Sequence, residues 1–168
     1  MVFLRPACLS LSLALAAGTL AAGDYDALLG AVKKSWPTCQ TIAVVCDSSG
    51  SRAALAALTS AAGGMRLMVV DVKGPQDMGK AIGMLSGRKP DAMILLAGDH
   101  VAGDGSSAAT FLIQRMAAMK VPTATTTEAG VKQGAALGLG SGTGGKLMCN
   151  AKVAAVAGVA VPAGATTF

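Results

Sequence analysis

Five short strand-like runs, each followed by a stretch with helical spacing, constrain this chain more than any other feature. "TIAVVCD" (41–47), "RLMVVDV" (66–72), "AMILLAG" (92–98), "PTATTT" (122–127) and "AALGLG" (135–140) read as strands. Three of them are nearly continuous in apolar residues, without the alternation of a sheet that faces water on one side. They predict parallel strands covered on both faces. Between them, "SRAALAALTSAAGG" sets Leu55, Leu58 and Ala62 on one helical face and stops at Gly63-Gly64. "GPQDMGKAIGMLSGRKP" opens on Pro75 and spaces Met78, Ile82 and Leu85 along a stripe. "GSSAATFLIQRMAAMK" offers Ser106 or Ser107 as a cap and packs through Phe111, Leu112 and Met119.

Thr127 caps a short helical turn through Val131, a last helix is expected from about Lys146 to Gly158, and "DYDALLGAVKKSW" forms a helix before the first strand. Alternating strands and helices predict an α/β, three-layer, flavodoxin-like (Rossmann-like) domain. Its five-stranded parallel sheet takes the order 2-1-3-4-5, with right-handed crossovers. No shift of composition divides residues 24–168, so they read as one domain, with "AGATTF" as a loose tail.

Residues 1–23 are of another kind. "MVFLRPACLSLSLALAAGTLAAG" has one Arg, a short apolar run and small residues at its end, the pattern of a secretory signal peptide cleaved between Ala21 and Asp24. The mature chain is therefore expected in the periplasm or secreted. Cleavage removes Cys8 and leaves Cys39, Cys46 and Cys149, an odd number. Cys39 and Cys46 flank one strand, too far apart for a bridge. The choice is then between a Cys46–Cys149 bridge and buried free thiols.

The net charge of +5 comes from scattered residues, with no basic run and only 3% aromatics, so nucleic acid is not an expected partner. No metal or cofactor is expected either: His100 is the only histidine and no C-x-x-C occurs.

The stretch "GLGSGTGGKL" (138–147) contains G-x-G-x-x-G at Gly140, Gly142 and Gly145, and G-x-x-x-x-G-K ending at Lys146. A dinucleotide fingerprint needs an acidic residue about 20 positions on, and a P-loop needs Ser or Thr after its Lys. No Asp or Glu follows Glu128, and Leu147 follows the Lys. The glycines are read as a tight turn and close helix approach.

In an open α/β sheet, ligands sit outside the carboxyl ends of the strands. There the chain places Asp47, Ser48, Ser49 and Ser51, then Asp99 and His100, then Thr126, Thr127 and Glu128, then Ser141 and Thr143. These groups suit hydrogen bonding to a polar small molecule. A Ser–His–Asp arrangement through His100 lacks the G-x-S-x-G elbow, and "DSSGS" is turn chemistry. No catalytic residue is assigned.

Three stretches carry a family resemblance: "LLGAVKKSWPTCQTIAVVCDSSGS", "KPDAMILLAGDHV" and "KVPTATTTEAGVKQGAALGLG". They resemble one lobe of a bacterial ABC-transporter substrate-binding protein of the TrpX-like family, with a type I periplasmic-binding fold, over roughly residues 28–160. That family has two lobes closing on a ligand, and after the fifth strand it runs Asp-Tyr-x-x-x-Gly. Here one lobe is present, followed by Ser141-Gly142-Thr143-Gly144-Gly145. The resemblance implies a non-enzymatic protein binding an amino-acid-like solute through Ser48, Ser49, Ser51, Asp99, Thr126, Thr127, Glu128 and Ser141. It would do so weakly, or as a homodimer that restores the cleft. An ABC permease or a membrane sensor would be its partner. The alternative is an extracytoplasmic interaction or signalling module that kept the fold and lost the ligand.

Overall fold

The computed structural model describes residues 22–140 and 145–168. The signal-peptide expectation falls almost wholly outside them, as do Ser141 and Thr143. The chain runs α1 (Ala22–Ser35), β1 (Thr41–Cys46), α2 (Arg52–Ala61), β2 (Arg66–Asp71), a 3-10 turn (Pro75–Asp77), α3 (Met78–Arg88), β3 (Ala92–Ile94) and α4 (Ser107–Ala118). It continues with β4 (Thr123–Thr125), α5 (Glu128–Lys132), β5 (Leu137–Leu139), β6 (Leu147–Cys149), α6 (Ala151–Ala157) and β7 (Thr166–Thr167).

Among the described residues the strands form one sheet of order β2-β1-β3-β4-β5-β6-β7. The expected order holds through β5, all parallel. Two strands were not expected. β6 pairs antiparallel with β5, Leu137 opposite Cys149, and β7 pairs parallel with β6. "LMC" therefore belongs to the sheet, and the helix expected from Lys146 starts at Ala151, where Asn150 Oδ1 accepts the Val153 amide at 3.2 Å. The tail expected to be loose is tied in: Thr166–Thr167 joins the sheet edge, and the Phe168 amide donates to the Cys149 carbonyl.

The pleat divides the core. Ile42, Val44 and Cys46 face a layer built from α1, α2 and α6, with Tyr25, Leu28, Leu29, Val32, Leu58 and Ala154. Ala43 and Val45 face the opposite layer, with Met78, Ala81 and Leu85 of α3 and Leu112, Ile113 and Met116 of α4. Tyr25, Leu28, Leu29 and Val32 of α1, and Trp36 just after it, recur at helical spacing and are all buried. Each such side chain removed from water contributes roughly 1.5–3 kcal/mol.

β3 to β5 are shorter than the runs expected of them. Beyond Ile94 the Leu95 amide still donates to the Ala124 carbonyl, and Leu95 and Leu96 stay buried. The chain then turns at Gly98, whose φ of 76° favours glycine. Ser106 is the cap of α4, its hydroxyl oxygen accepting the Ala109 amide at 3.0 Å.

Cys39, Cys46 and Cys149 are free and buried, which decides against the bridge. Burial pushes the Cys39 thiol up to about 11 and the Cys46 thiol up to about 12, so both stay protonated and unreactive near neutrality.

Candidate functional site

Because β2 and β3 flank β1, the residues that follow these three strands meet at one carboxyl-end rim. Asp99, just past β3, is buried and organises it. Its Oδ2 accepts the Asp47 amide at 2.9 Å and the Ser51 hydroxyl at 2.6 Å. Its Oδ1 accepts the amides of Val101 at 3.0 Å and Ala102 at 2.7 Å. A carboxylate offers about four acceptor directions, so Asp99 is saturated by its own loop and its neighbour's. Ser51 precedes α2, yet its hydroxyl is turned to Asp99 and makes no cap bond.

Outside this buried clasp lies an ion-pair network. Lys73 Nζ donates to Asp47 Oδ1 at 2.5 Å, to Asp71 Oδ1 at 3.2 Å and to the Ser49 hydroxyl oxygen at 3.1 Å. The Ser49 hydroxyl donates to Asp47 Oδ1 at 2.5 Å, and both the amide and the hydroxyl of Ser48 donate to Asp71 Oδ1. His100 Nε2 stands 3.4 Å from Asp47 Oδ2.

The hydrogen bond from Lys73 holds the Asp47 carboxyl well below the usual carboxylate range, with Ser49 adding to it. The hydrogen bonds from Ser48 lower the Asp71 carboxyl from its ordinary value. Asp47 in turn raises Lys73. An ammonium held charged cannot accept a proton, so the Lys73–Ser49 contact does not make a base and a nucleophile. The Ser49 proton points at Asp47 rather than at the exposed His100 imidazole, and the arrangement is not that of a Ser–His–Asp triad.

A second cluster lies further along the rim. Asp104 Oδ2 accepts the hydroxyls of Thr125 and of Thr127, the latter at 2.8 Å. Thr127 also caps α5, accepting the Gly130 amide at 3.2 Å, and Glu128 pairs with Lys132 at 2.6 Å. Asp104 Oδ1, the Thr126 hydroxyl and the Tyr25 hydroxyl are buried without a partner. Burial raises the Asp104 carboxyl above its ordinary value against the pull of the two threonines. Burial, then the charge of Asp104, pushes the Tyr25 phenol up to about 12.

A raised folded value means that the contribution of Asp104 to stability is complete below pH about 4 and declines as the pH rises through the raised value. Asp104→Asn keeps an acceptor for the threonines and removes the ionisation. Urea unfolding of both proteins at pH 4 and pH 7 is expected to show the variant gaining on the wild type at the higher pH. A difference that does not change with pH would show that the carboxyl is not penalised by burial.

Ser48, Ser49, Ser51, Asp99 and His100 thus sit with Asp47 in one cluster, and Thr127 binds Asp104 in the other, with Thr126 and Glu128 next to it in sequence. Three residues absent from the expected rim prove central: Asp71, Lys73 and Asp104. The first two were accessible in principle, since the order 2-1-3 places the end of β2 beside the end of β1. Asp104 follows β3 by ten positions and carries no motif.

The glycine stretch does not open a helix. β5 and β6 flank it as antiparallel neighbours, with the Gly140 amide on the Lys146 carbonyl at 2.8 Å, so the strand–turn–helix context of a phosphate loop is missing. Two cavities of about 630 and 550 Å3 lie elsewhere, one beside α1 and one at the amino ends of the strands.

No protein-family model and no curated protein matches the sequence. Solved structures match the fold. A conserved domain protein from Vibrio cholerae superposes with a TM-score of 0.74 at 19% identity, covering 85% of this chain and 59% of that one. An ABC domain in complex with L-Trp from Streptococcus pneumonia gives 0.71 at 16% identity, covering 86% and 60%. The ligand-free, open structure of a substrate binding protein with adhesive properties from Clostridium difficile gives 0.72 at 16%, covering 85% and 59%. The chain spans about three-fifths of the length of these structures. Its fold is that of a single lobe of a substrate-binding protein.

Proposed function

We propose that this chain is a non-enzymatic, extracytoplasmic solute-binding lobe whose carboxyl-end rim meets a small polar, amino-acid-like molecule. The observation that carries the reading is the convergence of Ser49, Lys73 and His100 around Asp47, with Ser48 on neighbouring Asp71, at the strand ends of a substrate-binding fold, where such sheets receive ligands. Ser49, Lys73 and His100 are exposed and touch the solute. Ser51 and Asp99 are buried and hold the loop that presents them, while Thr126, Thr127 and Glu128 complete the far side. One lobe covers part of a small ligand, whereas good pockets enclose most of it. Binding is therefore weak in the monomer and stronger where a second copy supplies the facing lobe. An ABC permease or a membrane sensor receives the loaded protein.

One observation favours a second reading, an interaction module without a solute. The rim's charges are already paired with one another, Lys73 with Asp47 and Asp71, as on a surface that meets a protein rather than a free ion.

Thermal unfolding against a panel of amino acids, purines and oxyanions, with the solution mass measured alongside, separates the two. A ligand at a hundred times its dissociation constant adds about 2.7 kcal/mol. For a chain of this size that is a rise of roughly 5–10 °C. The rise is expected for an amino-acid-like solute and is expected to shrink in Ser49→Ala and Lys73→Gln. No rise from any panel member, with a monomeric mass, would set aside the solute reading in favour of the interaction module.

A further inference from the structure

The acceptors and the donors around Asp47 are not used to the same extent. On Asp47 every hydrogen-bond partner sits on one oxygen: Oδ1 takes the Lys73 ammonium, the Ser49 hydroxyl and, at 3.0 Å, the Ser49 amide. Asp71 repeats the pattern, with the Ser48 amide, the Ser48 hydroxyl and Lys73 all on Oδ1. A carboxylate has acceptor sites on both oxygens. Among the described residues, Oδ2 of Asp71 accepts nothing, and Oδ2 of Asp47 faces only the His100 ring.

The donors, by contrast, are spent. An ammonium has three N–H bonds, and those of Lys73 go to Asp47, Asp71 and Ser49. The hydroxyls of Ser48, Ser49 and Ser51 each end on a carboxylate. The amides of Asp47, Ser48, Ser49 and Ser51 are bonded within the rim as well. In this loop the Gly50 amide alone has no acceptor among the described residues. Two carboxylates on one ammonium also leave the cluster with a negative excess.

Water meets an exposed carboxylate oxygen, and that alone would account for Asp71, whose side chain is 47% exposed. It does not account for Asp47, whose side chain is only 10% exposed and still keeps one oxygen without a hydrogen bond. Unlike Asp104 Oδ1, that oxygen is not sealed from the surface. Gly50 keeps the approach to it open. A Cβ at position 50 would stand 3.2 Å from Asp47 Oδ2 and 3.3 Å from Cε1 and Nδ1 of His100, in front of both groups.

Resting on the solute-binding reading of this rim, we infer that the group it recognises is a primary ammonium with no carboxylate beside it. The solute is an amine, of the kind that decarboxylation of an amino acid leaves, rather than an amino acid. Asp47 Oδ2 accepts its proton, and Asp71, held beside Asp47 by the shared Lys73, adds charge. A quaternary ammonium has no N–H to give. A carboxylate on the neighbouring carbon finds one free amide and two unspent carboxylate oxygens, and like charges at close range repel most where little water screens them.

The test uses the full chain and three probes that differ by one group, butylamine, norvaline and pentanoate, followed by amide chemical shifts. Norvaline carries both the amine and the carboxylate, and each of the others lacks one. The expected result is saturable shifts at residues 47–51, 71, 73 and 100 with butylamine, binding of norvaline at least tenfold weaker, and no shift there with pentanoate. Asp71→Asn keeps an acceptor for Ser48 and is expected to weaken butylamine about fivefold. Gly50→Ala is expected to abolish butylamine binding while melting normally, since Gly50 does not have a positive φ and the exposed His100 ring can swing aside. Norvaline or pentanoate binding as tightly as butylamine at the same residues would overturn the amine inference and leave the solute reading standing. Undiminished butylamine binding by Gly50→Ala would overturn it too. No saturable shift at the rim from any probe would overturn both.

Discussion

Replacing Asp99 by alanine is expected to lower the unfolding free energy by about 3 kcal/mol, a drop in melting temperature of roughly 6–12 °C. The reason is the number of donors that one carboxylate serves. The amides of Asp47, Val101 and Ala102 and the hydroxyl of Ser51 all end on it, in a region with little water to replace it. Deleting an acceptor leaves each buried donor with its desolvation cost, which exceeds the net gain from an ordinary hydrogen bond. Asp99→Asn should be intermediate: its carbonyl oxygen still serves one pair of donors, while its NH2 faces the other. Urea unfolding decides the matter. A loss below 1 kcal/mol for the alanine variant would mean that the loops after β1 and β3 hold themselves without the clasp.

The same loop supplies the second large effect. A Cβ built on Gly103 would lie 2.2 Å from the carbonyl oxygen and 2.9 Å from the amide nitrogen of Asp99. Both are backbone atoms and cannot swing aside. Gly103 also donates its amide to that carbonyl at 3.0 Å, so the close approach is itself the hydrogen bond. Gly103→Ala must therefore push the Asp99 backbone outward, and overpacking of this kind costs about 3 kcal/mol. Thermal unfolding should show the loss. If the clasp positions the rim, amide shifts in the variant should reach Asp47 and Ser51 across the sheet, although neither touches Gly103. Normal stability with unchanged shifts at those residues would show that the loop is not rigidly tied to its neighbour.

The parts of this molecule that sequence reasoning found are those where burial acts on many consecutive residues. Thr41–Cys46 is covered on both faces, so it has to be apolar throughout, and that run is visible without a structure. The same reasoning yields the interior of the sheet, an apolar run marks β2 although it is only partly buried at the edge, and right-handed crossovers supply the order. β6 and β7 escaped because three and two residues carry no period. "LMCNAKVAAVAG" reads as one helix until Asn150 is recognised as the cap, and the pairing of β7 depends on residues about 18 positions away.

The site divides in the same way. The position of the rim follows from topology, so Ser48, Ser49 and Thr127 could be placed there from the strand ends. What each side chain does there does not follow. Asp99 and Asp47 are both carboxylates just past strands, yet one is consumed by backbone amides and the other faces a lysine. That difference arises from loop paths with no local signature. Asp104 is the extreme case, a half-buried acid far from its strand whose partners, Thr125 and Thr127, belong to another crossover.

The two edges of the sheet are unequal, and this bears on how the protein would fail rather than on how it works. One edge is β7, two residues long and too short to template much. The other is β2, six residues of which Leu67 to Val70 are uninterruptedly apolar, with charge only at Arg66 and Asp71. Long apolar edges without a central lysine, proline or bulge are where one chain recruits another into a growing aggregate. Crowding or partial unfolding would thus start self-association along β2, at the end of the sheet far from β7.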